Sequence, residues 1–275
     1  MQLNFDKYHG IGNDFVIVNF LEEGENLLTK EQIIKICKRN FGVGADGILV
    51  LLPSEKADYK MRIFNPDSTE PEMCGNGIRC FAKYLYDKKL INGTSVSIET
   101  LAGVKETNFY IQNNKFFVEV NMGEALFRDD NLFKETYIDK KISNNEKFTS
   151  VSMGNPHMVI LKEEKIKMDY LKTRGKELVN SEYFLNGTNV EFITLKDRTE
   201  IDMMVYERGA GVTLACGTGA CASVSALKKL EKIDFDSWIK VNLLGGSLEI
   251  MVKKNFRDII LKGEAAFVFS GIISL

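Results

Sequence analysis

Short apolar or alternating runs, bounded by turn-forming residues, recur through most of the chain. Such runs are typical of β-strands that are half buried or fully buried. Examples lie at residues 15–20, 47–52, 61–65, 95–100 and 115–122. The pattern predicts that strands form most of the structure.

Three segments have helical periodicity instead. One follows Cys74 and a second, apolar on nearly all sides, follows Cys216, so both predict buried central helices. A third helix is predicted over residues 30–39, and the polar stretch 128–147 is predicted to be an irregular connection. The apolar positions of the three helices are Ile78, Phe81, Ala82 and Leu85, then Ala220, Cys221, Ala222, Val224 and Leu227, and lastly Ile33, Ile34, Ile36 and Cys37.

The chain contains an internal repeat with an offset of 142 residues. MCGNGIRCFAKYL at 73–85 and ACGTGACASVSAL at 215–227 share Cys-Gly-x-Gly, a second cysteine and a helix-like run. The same offset carries Gly12-Asn13 onto Gly154-Asn155, and Asn65 onto Glu207, which ends a similar alternating strand. NMGEALF at 121–127 resembles KGEAAFVF at 262–269 with an offset of 140. Four landmarks in one order predict two homologous halves.

Composition excludes several classes of protein. The 275 residues are 44% hydrophobic and 27% charged, as in ordinary globular proteins, and 36 basic residues oppose 38 acidic ones. A formal charge of -2 gives no basic excess for nucleic acid or an anionic membrane. With neither a signal peptide nor a membrane-spanning run in view, a cytoplasmic protein is expected.

The cysteines are expected to be separate thiols. Five is an odd number, and a chain of this size does not depend on disulfides. With only His9 and His157 and no closely spaced cysteine pair, no metal site is expected. Cys37, Cys80 and Cys221 are interpreted as core residues.

The paired Cys-Gly-x-Gly turns suggest acid–base chemistry. Glycines after a cysteine allow a tight turn into a helix, whose free amide groups favour a thiolate and bind anions. The helix dipole supplies at most about 2 kcal/mol, so a further neighbour must help to ionise the cysteine, and His157 and Glu207 are the candidates. His9, in a glycine-rich turn, is expected to be a structural hydrogen-bonding residue.

If the two halves face each other, Cys74 and Cys216 would lie on either side of one substrate carbon. One thiolate could then remove a proton while the opposite thiol returns one. Such symmetry fits racemisation better than hydrolysis, phosphoryl transfer or hydride transfer. Both cysteines could instead be ordinary core residues, an interpretation that the repetition of the motif disfavours.

Seven motifs in order resemble the diaminopimelate epimerase family. They are HGxGNDF at 9–15, GxGADG at 42–47, FNPD at 64–67, CGNGIRC at 74–80, SMGNPH at 152–157, YERGAG at 206–211 and ACGTGAC at 215–221. The resemblance covers nearly the whole chain. It implies a cofactor-independent enzyme that interconverts LL- and meso-diaminopimelate, a precursor of lysine and peptidoglycan.

The resemblance also implies the architecture and the site. The fold would be α+β, with two pseudo-symmetric domains, each of strands wrapped around a central helix, and an active site in the cleft between them. The domains would be residues 1–117 plus 264–275, and residues 118–263. Cys74 and Cys216 match the acid–base pair, and His157 and Glu207 match residues that adjust cysteine ionisation. The matched substrate-binding positions are Asn13, Gly75, Asn76, Gly217 and Thr218 near the reacting carbon, and Asn65, Asn155, Asn189, Glu207 and Arg208 at the distal end.

The sequence leaves parts of the site and the substrate open. Gly47 stands where some family members carry a glutamine that contacts the substrate. Arg208 and the distal asparagines favour a substrate with two amino-acid ends, but lanthionine also has two. The chain could also be a proline-type or histidine racemase, an inactive amino-acid-binding protein, or a redox sensor that forms a Cys74–Cys216 disulfide. The resemblance suggests a homodimer.

Overall fold

The computed structural model describes residues 2–22, 28–143 and 145–275. The chain forms two compact units. The first comprises Met1–Val120 and Gly263–Leu275, and the second comprises Asn121–Lys262.

Both units combine many strands with few helices. The helices among the described residues are α1 (Lys30–Cys37), α2 (Gly75–Asp87), α3 (Met168–Leu178) and α4 (Gly217–Lys229). The strands are β1 (Gln2–Gly10), β2 (Asn13–Asn19), β3 (Gly47–Leu52), β4 (Tyr59–Phe64), β5 (Ser95–Thr100), β6 (Gly103–Gln112), β7 (Lys115–Asn121), β8 (Lys140–Ser143), β9 (Glu146–Ser152), β10 (Pro156–Lys162), β11 (Asn189–Asp197), β12 (Glu200–Glu207), β13 (Gly211–Val212), β14 (Trp238–Leu243), β15 (Gly246–Val252) and β16 (Ile259–Ser274). None of these helices has the length and apolar composition needed to cross a membrane.

In the first unit the strands close into a barrel. Their order is β1-β2-β3-β4-β5-β6-β7-β16, and β16 also pairs antiparallel with β1. Helix α2 packs against β1, β2 and β4. Its apolar residues Ile78, Phe81, Ala82 and Leu85 are fully buried, so the helix forms the core of the barrel.

The second unit is built in the same way around α4. Its strands follow the order β15-β14-β12-β11-β10-β9-β8, and the first residues of β16 pair with β15. The segment after β7 continues this arrangement, because the Met122 amide donates to the carbonyl of Ile259 and Leu126 pairs with Ser152 of β9. Helix α4 is apolar on nearly all sides, and this allows strands to pack around it.

Strand register confirms the predicted repeat. Helix α4 begins and ends 142 positions after α2. The parallel pairing of Phe15 with Gly47 recurs, at the same offset, as the pairing of His157 with Asn189. The two halves therefore place equivalent residues at equivalent points of their barrels.

Two predicted elements need correction. The stretch 128–147 is not irregular throughout, because β8 lies within it and β9 begins at Glu146, whose buried carboxylate binds Arg174. The helix predicted over 30–39 ends at Cys37, since Lys38 is extended, and its Ile34 is 46% exposed.

Candidate active site

Cys74 is the N-cap residue of α2. Its backbone is extended (φ -140°, ψ 117°), and the Gly77 amide donates to its sulfur at 3.4 Å. The sulfur thus lies at the positive end of the helix dipole, where a thiolate is favoured. Gly75 and Asn76, both buried, form the first turn of the helix.

Asn13 lies beside this helix start. Its Oδ1 accepts a hydrogen bond from Asn76 Nδ2 at 3.0 Å and lies 4.0 Å from the Cys74 sulfur. Its Nδ2 donates to the Asp46 carboxylate at 2.8 Å. Because a carboxylate only accepts, Asp46 fixes the orientation of the amide and turns its oxygen toward Cys74.

The buried Arg79, in the second turn of α2, holds the first turn in place through hydrogen bonds. It donates to the carbonyl of Gly75 at 2.8 Å and to Asn76 Oδ1 at 3.0 Å. This residue was not predicted from the sequence. A lone arginine within an apolar helix that is enclosed by strands is the signal that could have identified it.

Cys216 repeats the geometry of Cys74 at the start of α4. Its backbone is extended (φ -129°, ψ 107°), and the Gly219 amide donates to its sulfur at 3.3 Å. The Thr218 hydroxyl lies 3.6 Å from the sulfur, and Gly217 is buried in the first turn. The prediction that Cys74 and Cys216 lie at the starts of two helices is therefore confirmed.

The electrostatic surroundings of Cys216 include two carboxylates. Glu207, at the end of β12, hydrogen-bonds the cysteine thiol and the Thr213 hydroxyl, and burial raises the pKa of its carboxyl. Burial first, then the negative charges of Glu207 and Glu191, raise the pKa of Cys216 well above its ordinary value. These surroundings therefore favour the neutral thiol of Cys216 over its thiolate.

His157 lies deeper in the same half. It is fully buried, and its Nδ1 is 2.7 Å from Oε1 of Glu191, which is also fully buried. The other ring nitrogen, Nε2, is 3.0 Å from Asn155 Oδ1, and Asn155 Nδ2 donates to Thr218 at 3.4 Å. Glu191 was not among the predicted residues, although a charged residue in the apolar run NVEFITL was a visible signal.

Of the distal residues predicted in the second half, Asn189 and Arg208 contact each other, whereas Asn155 and Glu207 contact residues around Cys216. Asn189 donates to the carbonyl of Pro156 at 3.2 Å and accepts from the Arg208 amide at 3.0 Å. The Arg208 guanidinium is exposed and donates to the carbonyl of Asn186 at 2.8 Å. In the first half, Asn65 is half buried after β4 and bonds locally to Thr69.

Two other groups of residues have plain structural explanations. His9 Nδ1 accepts from the Gly12 amide at 3.3 Å, as expected of a residue that orders a turn. None of the five cysteines forms a disulfide, and Cys37, Cys80 and Cys221 are core residues as predicted. Within residues 2–22, 28–143 and 145–275, no three His, Cys, Asp or Glu side chains are grouped as a metal site requires.

Comparison with known proteins places this chain. The sequence profile of the diaminopimelate epimerase family matches residues 5–127 and 149–268. The chain belongs to the diaminopimelate epimerase family. This membership confirms the resemblance inferred from the seven motifs.

Relatives in this family match over their full length. The diaminopimelate epimerase of Agathobacter rectalis is 40% identical over 288 aligned residues, which cover 99% of this chain and all of the relative. That of Acetivibrio thermocellus is also 40% identical, over 99% of both chains. A Bacillus anthracis phenazine biosynthesis protein of the PhzF family has a similar structure, with a TM-score of 0.74, 19% identity and full coverage of both chains. At that identity the likeness shows the fold alone.

The lack of a side chain at Gly47 has a physical reason. A Cβ atom at this position would lie 2.8 Å from the backbone carbonyl oxygen of Phe64 and 3.4 Å from the Phe15 ring. Strand β4 thus approaches β3 too closely for a glutamine on this backbone.

Proposed function

We propose that this protein is a cofactor-independent epimerase that interconverts LL- and meso-diaminopimelate, with Cys74 and Cys216 as its acid–base pair. The supporting observation is the repetition of one unusual arrangement: a cysteine N-cap whose sulfur accepts the amide of the third helical residue. Family membership gives the substrate class.

The proposed proton transfers begin with the Cys74 thiolate. It removes the α-proton, so the C–H bonding electrons remain on the substrate and delocalise into its carboxylate. The Cys216 thiol then delivers its proton to the opposite face of the carbon. This leaves a Cys74 thiol and a Cys216 thiolate, and the reverse reaction exchanges the two roles.

The raised pKa of Cys216 supports this assignment of resting states. A thiol that is held protonated by burial and by Glu207 is ready to act as an acid. The α2 dipole and the Gly77 amide, which donates to the sulfur, favour a thiolate at Cys74. We therefore propose that Cys74 is the base that acts on LL-diaminopimelate and Cys216 is the acid.

The first turns of α2 and α4 are proposed to bind the α-carboxylate. Helix N-termini direct backbone amides and the positive end of the helix dipole at anions, and the small Gly75 and Gly217 would let a carboxylate approach closely. Developing negative charge on the carboxylate would strengthen the same hydrogen bonds, which is how such a site lowers a barrier. Asn13, Asn76 and Thr218 would complete this end.

The second amino-acid end of the substrate is assigned to Asn65, Asn155, Asn189, Glu207 and Arg208. Arg208 has a planar guanidinium suited to a distal carboxylate. Its amide is bound to Asn189, so the arginine and the asparagine would act together. Proline and histidine lack such an end, which disfavours the racemases of single amino acids.

The test is product analysis by chiral chromatography. Purified, reduced protein is incubated separately with LL-diaminopimelate, LL-lanthionine, L-proline and L-histidine. We expect conversion of the first to an equilibrium mixture with the meso isomer and no racemisation of the last two. Binding without turnover would support an inactive binding protein instead, and faster turnover of lanthionine would change the assigned substrate.

We also propose that the enzyme is a homodimer that uses β16. Phe267, Val268 and Ile272 are 48%, 46% and 64% exposed, and the run from Phe267 to Ser270 is exposed on both faces of the strand. An apolar strand of this kind marks a surface that another chain covers. We propose that a second copy of this chain covers it, because most oligomers are symmetric assemblies of identical chains.

Sedimentation velocity can test this surface. Val268→Asp should convert a dimer to a monomer, because it places a charge in the proposed interface. Val104→Asp is the control, since Val104 is 43% exposed on β6 of the same unit. A wild-type protein that is monomeric at micromolar concentration would contradict the proposal.

Residues 1–117 with 264–275, and residues 118–263, are proposed to be the two functional halves. A reducing compartment such as the cytoplasm would suit an enzyme whose two catalytic cysteines must stay free.

A further inference from the structure

The pair formed by His157 and Glu191 is buried where an apolar pair would serve the fold. Both side chains are fully buried, and their ring nitrogen and carboxylate oxygen are 2.7 Å apart. The second oxygen of Glu191, Oε2, has no hydrogen-bond partner among the residues that the structure describes. Burial of a carboxylate with half of its hydrogen-bonding capacity unused is costly.

The other half of the molecule forms the equivalent barrel with an apolar pair at these positions. At the 142-residue offset, Phe15 occupies the position of His157 and Leu49 that of Glu191. The strand pairings are equivalent, because Phe15 pairs with Gly47 as His157 pairs with Asn189. Since an apolar pair fills the same place in the same fold, the polar pair requires a separate explanation.

A chain of polar contacts leads from Glu191 to Cys216. His157 turns Nδ1 toward Glu191 and Nε2 toward Asn155 Oδ1, at 2.7 and 3.0 Å. Both partners are oxygen acceptors, so a doubly protonated ring would donate to each. Asn155 then reaches Thr218 at 3.4 Å, and the Thr218 hydroxyl lies 3.6 Å from the cysteine sulfur.

Glu191 also lies directly against the first turn of α4. A Cβ atom on Gly219 would be 2.7 Å from its Oε1 and 3.1 Å from the Cys216 sulfur. At the equivalent position in the first half, a Cβ atom on Gly77 would be 3.2 Å from Leu49. The glycine of the second Cys-Gly-x-Gly turn thus makes room for a carboxylate.

The two halves orient their Gly-Asn amides by different means. Asp46 binds Asn13 directly, at 2.8 Å, and is partly exposed. In the second half, Asn155 is held by His157, which is held in turn by Glu191. Each asparagine is therefore anchored by a carboxylate, but only the second anchor is fully buried and reaches its target through a histidine.

We infer that Glu191 is a positioning residue of the Cys216 half-site: it fixes His157, and through His157 the asparagine and threonine that flank the cysteine. The inference rests on the proposed function, because it assigns Glu191 a role in the same proton transfer. Glu191 would not touch the substrate. Its role is to keep one hydrogen-bonded arrangement while the proton moves.

Substitutions at the pair can separate this role from simple burial. Glu191→Leu should lower kcat/KM about 10–100-fold, a loss of the size that follows when the partner that orients a metal-binding histidine is removed. Glu191→Gln keeps an acceptor oxygen and should recover part of that loss. The double variant His157→Phe with Glu191→Leu copies the pair of the first half. It should be at least as stable as Glu191→Leu alone, and its kcat/KM should be no higher than that of Glu191→Leu.

A second readout needs no substrate. The ultraviolet absorbance of the Cys216 thiolate, taken as the difference from Cys216→Ser, reports ionisation against pH. The groups that face this thiol are Glu191 on β11, Glu207 on β12 and the neighbouring His157 on β10. Removing the negative charge in Glu191→Gln should move the titration to lower pH by about one unit.

Glu146→Gln is the matched control. Glu146 is another buried glutamate of the second unit, and it binds Arg174 at 2.7 Å. Its variant should leave both readouts unchanged. The inference is overturned if the Glu191 variants match Glu146→Gln in kcat/KM and in the thiolate titration, or if the double variant is fully active. A shifted titration in a protein that does not epimerise diaminopimelate would instead refute the proposed function and retain the positioning role.

Discussion

Cys74→Ala and Cys216→Ala are each expected to lower kcat for epimerisation at least about a thousandfold, because each removes one proton-transfer group from a reaction that needs two. The N-cap geometry of both helices should survive in part, since the glycine turns remain. Steady-state rates in both directions, measured with LL- and meso-diaminopimelate, check the prediction.

The helices supply their own controls. Cys80 and Cys221 are fully buried in α2 and α4, away from the helix starts. Cys80→Ala and Cys221→Ala should each cost about 1 kcal/mol of stability through a small cavity and leave kcat within a few-fold of wild type. A Cys74 or Cys216 variant that keeps near-normal turnover in either direction would refute the two-base scheme.

Gly219→Ala is expected to lower kcat about a hundredfold, although alanine forms helices more readily than glycine. Alanine in place of glycine ordinarily stabilises a helix by about 0.5–1 kcal/mol. Here its Cβ atom would lie within 3.2 Å of three atoms at once, belonging to Glu191, Cys216 and Met203. Relief of this crowding must move the cysteine or the carboxylate, and misplacement by about 1 Å is enough to cost that much.

Gly77→Ala, at the equivalent position of α2, is the matched comparison. Its Cβ atom would meet side-chain carbons of Leu49, Cys74 and Ile63 at 3.2–3.5 Å, contacts that small side-chain shifts relieve. We expect a loss of no more than about tenfold in kcat. Melting temperatures of both variants separate a local effect from unfolding. Equal activity losses in the two variants would contradict the prediction that crowding against Glu191 and the Cys216 sulfur makes Gly219→Ala the more damaging change.

The helix starts could be predicted because their determinants are local. A cysteine followed by two closely spaced glycines marks a tight turn, and the apolar run behind it marks a buried helix. Strand 95–100 was correct for the same reason, since its apolar and polar residues alternate between turns. The repeat then placed both cysteines in equivalent positions.

Elements that depend on distant partners could not be predicted in this way. Helix α3 has few apolar residues. It packs on β12 because Gly175 leaves room for Tyr206: a Cβ atom added at Gly175 would lie 2.5 Å from the Cβ atom of that tyrosine. Strand β8 is short and mostly exposed, and it forms because it pairs with β9. Neither feature has a periodic signal of its own.

The electrostatics of the site were only partly visible in the sequence. Glu207 stood out because it ends a repeated strand, and the structure places it against the Cys216 thiol. Glu191 lies in the middle of an apolar strand, and only comparison with Leu49 at the repeat offset marks it as unusual. Its proposed role rests on the tertiary contact with His157, which joins two strands of the barrel.

The central claim is that two different thiols serve the two faces of one α-carbon, and incubation in deuterated water tests it most directly. LL-Diaminopimelate and reduced wild-type enzyme are mixed in deuterated water, and the α-protons of both isomers are followed by NMR and mass spectrometry during the first few per cent of conversion. Two bases predict that nearly every meso molecule formed carries one deuterium at the inverted carbon, while the remaining LL isomer keeps its protons. Deuterium that enters the LL isomer as fast as the meso isomer forms, or meso product that retains the original proton, would contradict the claim.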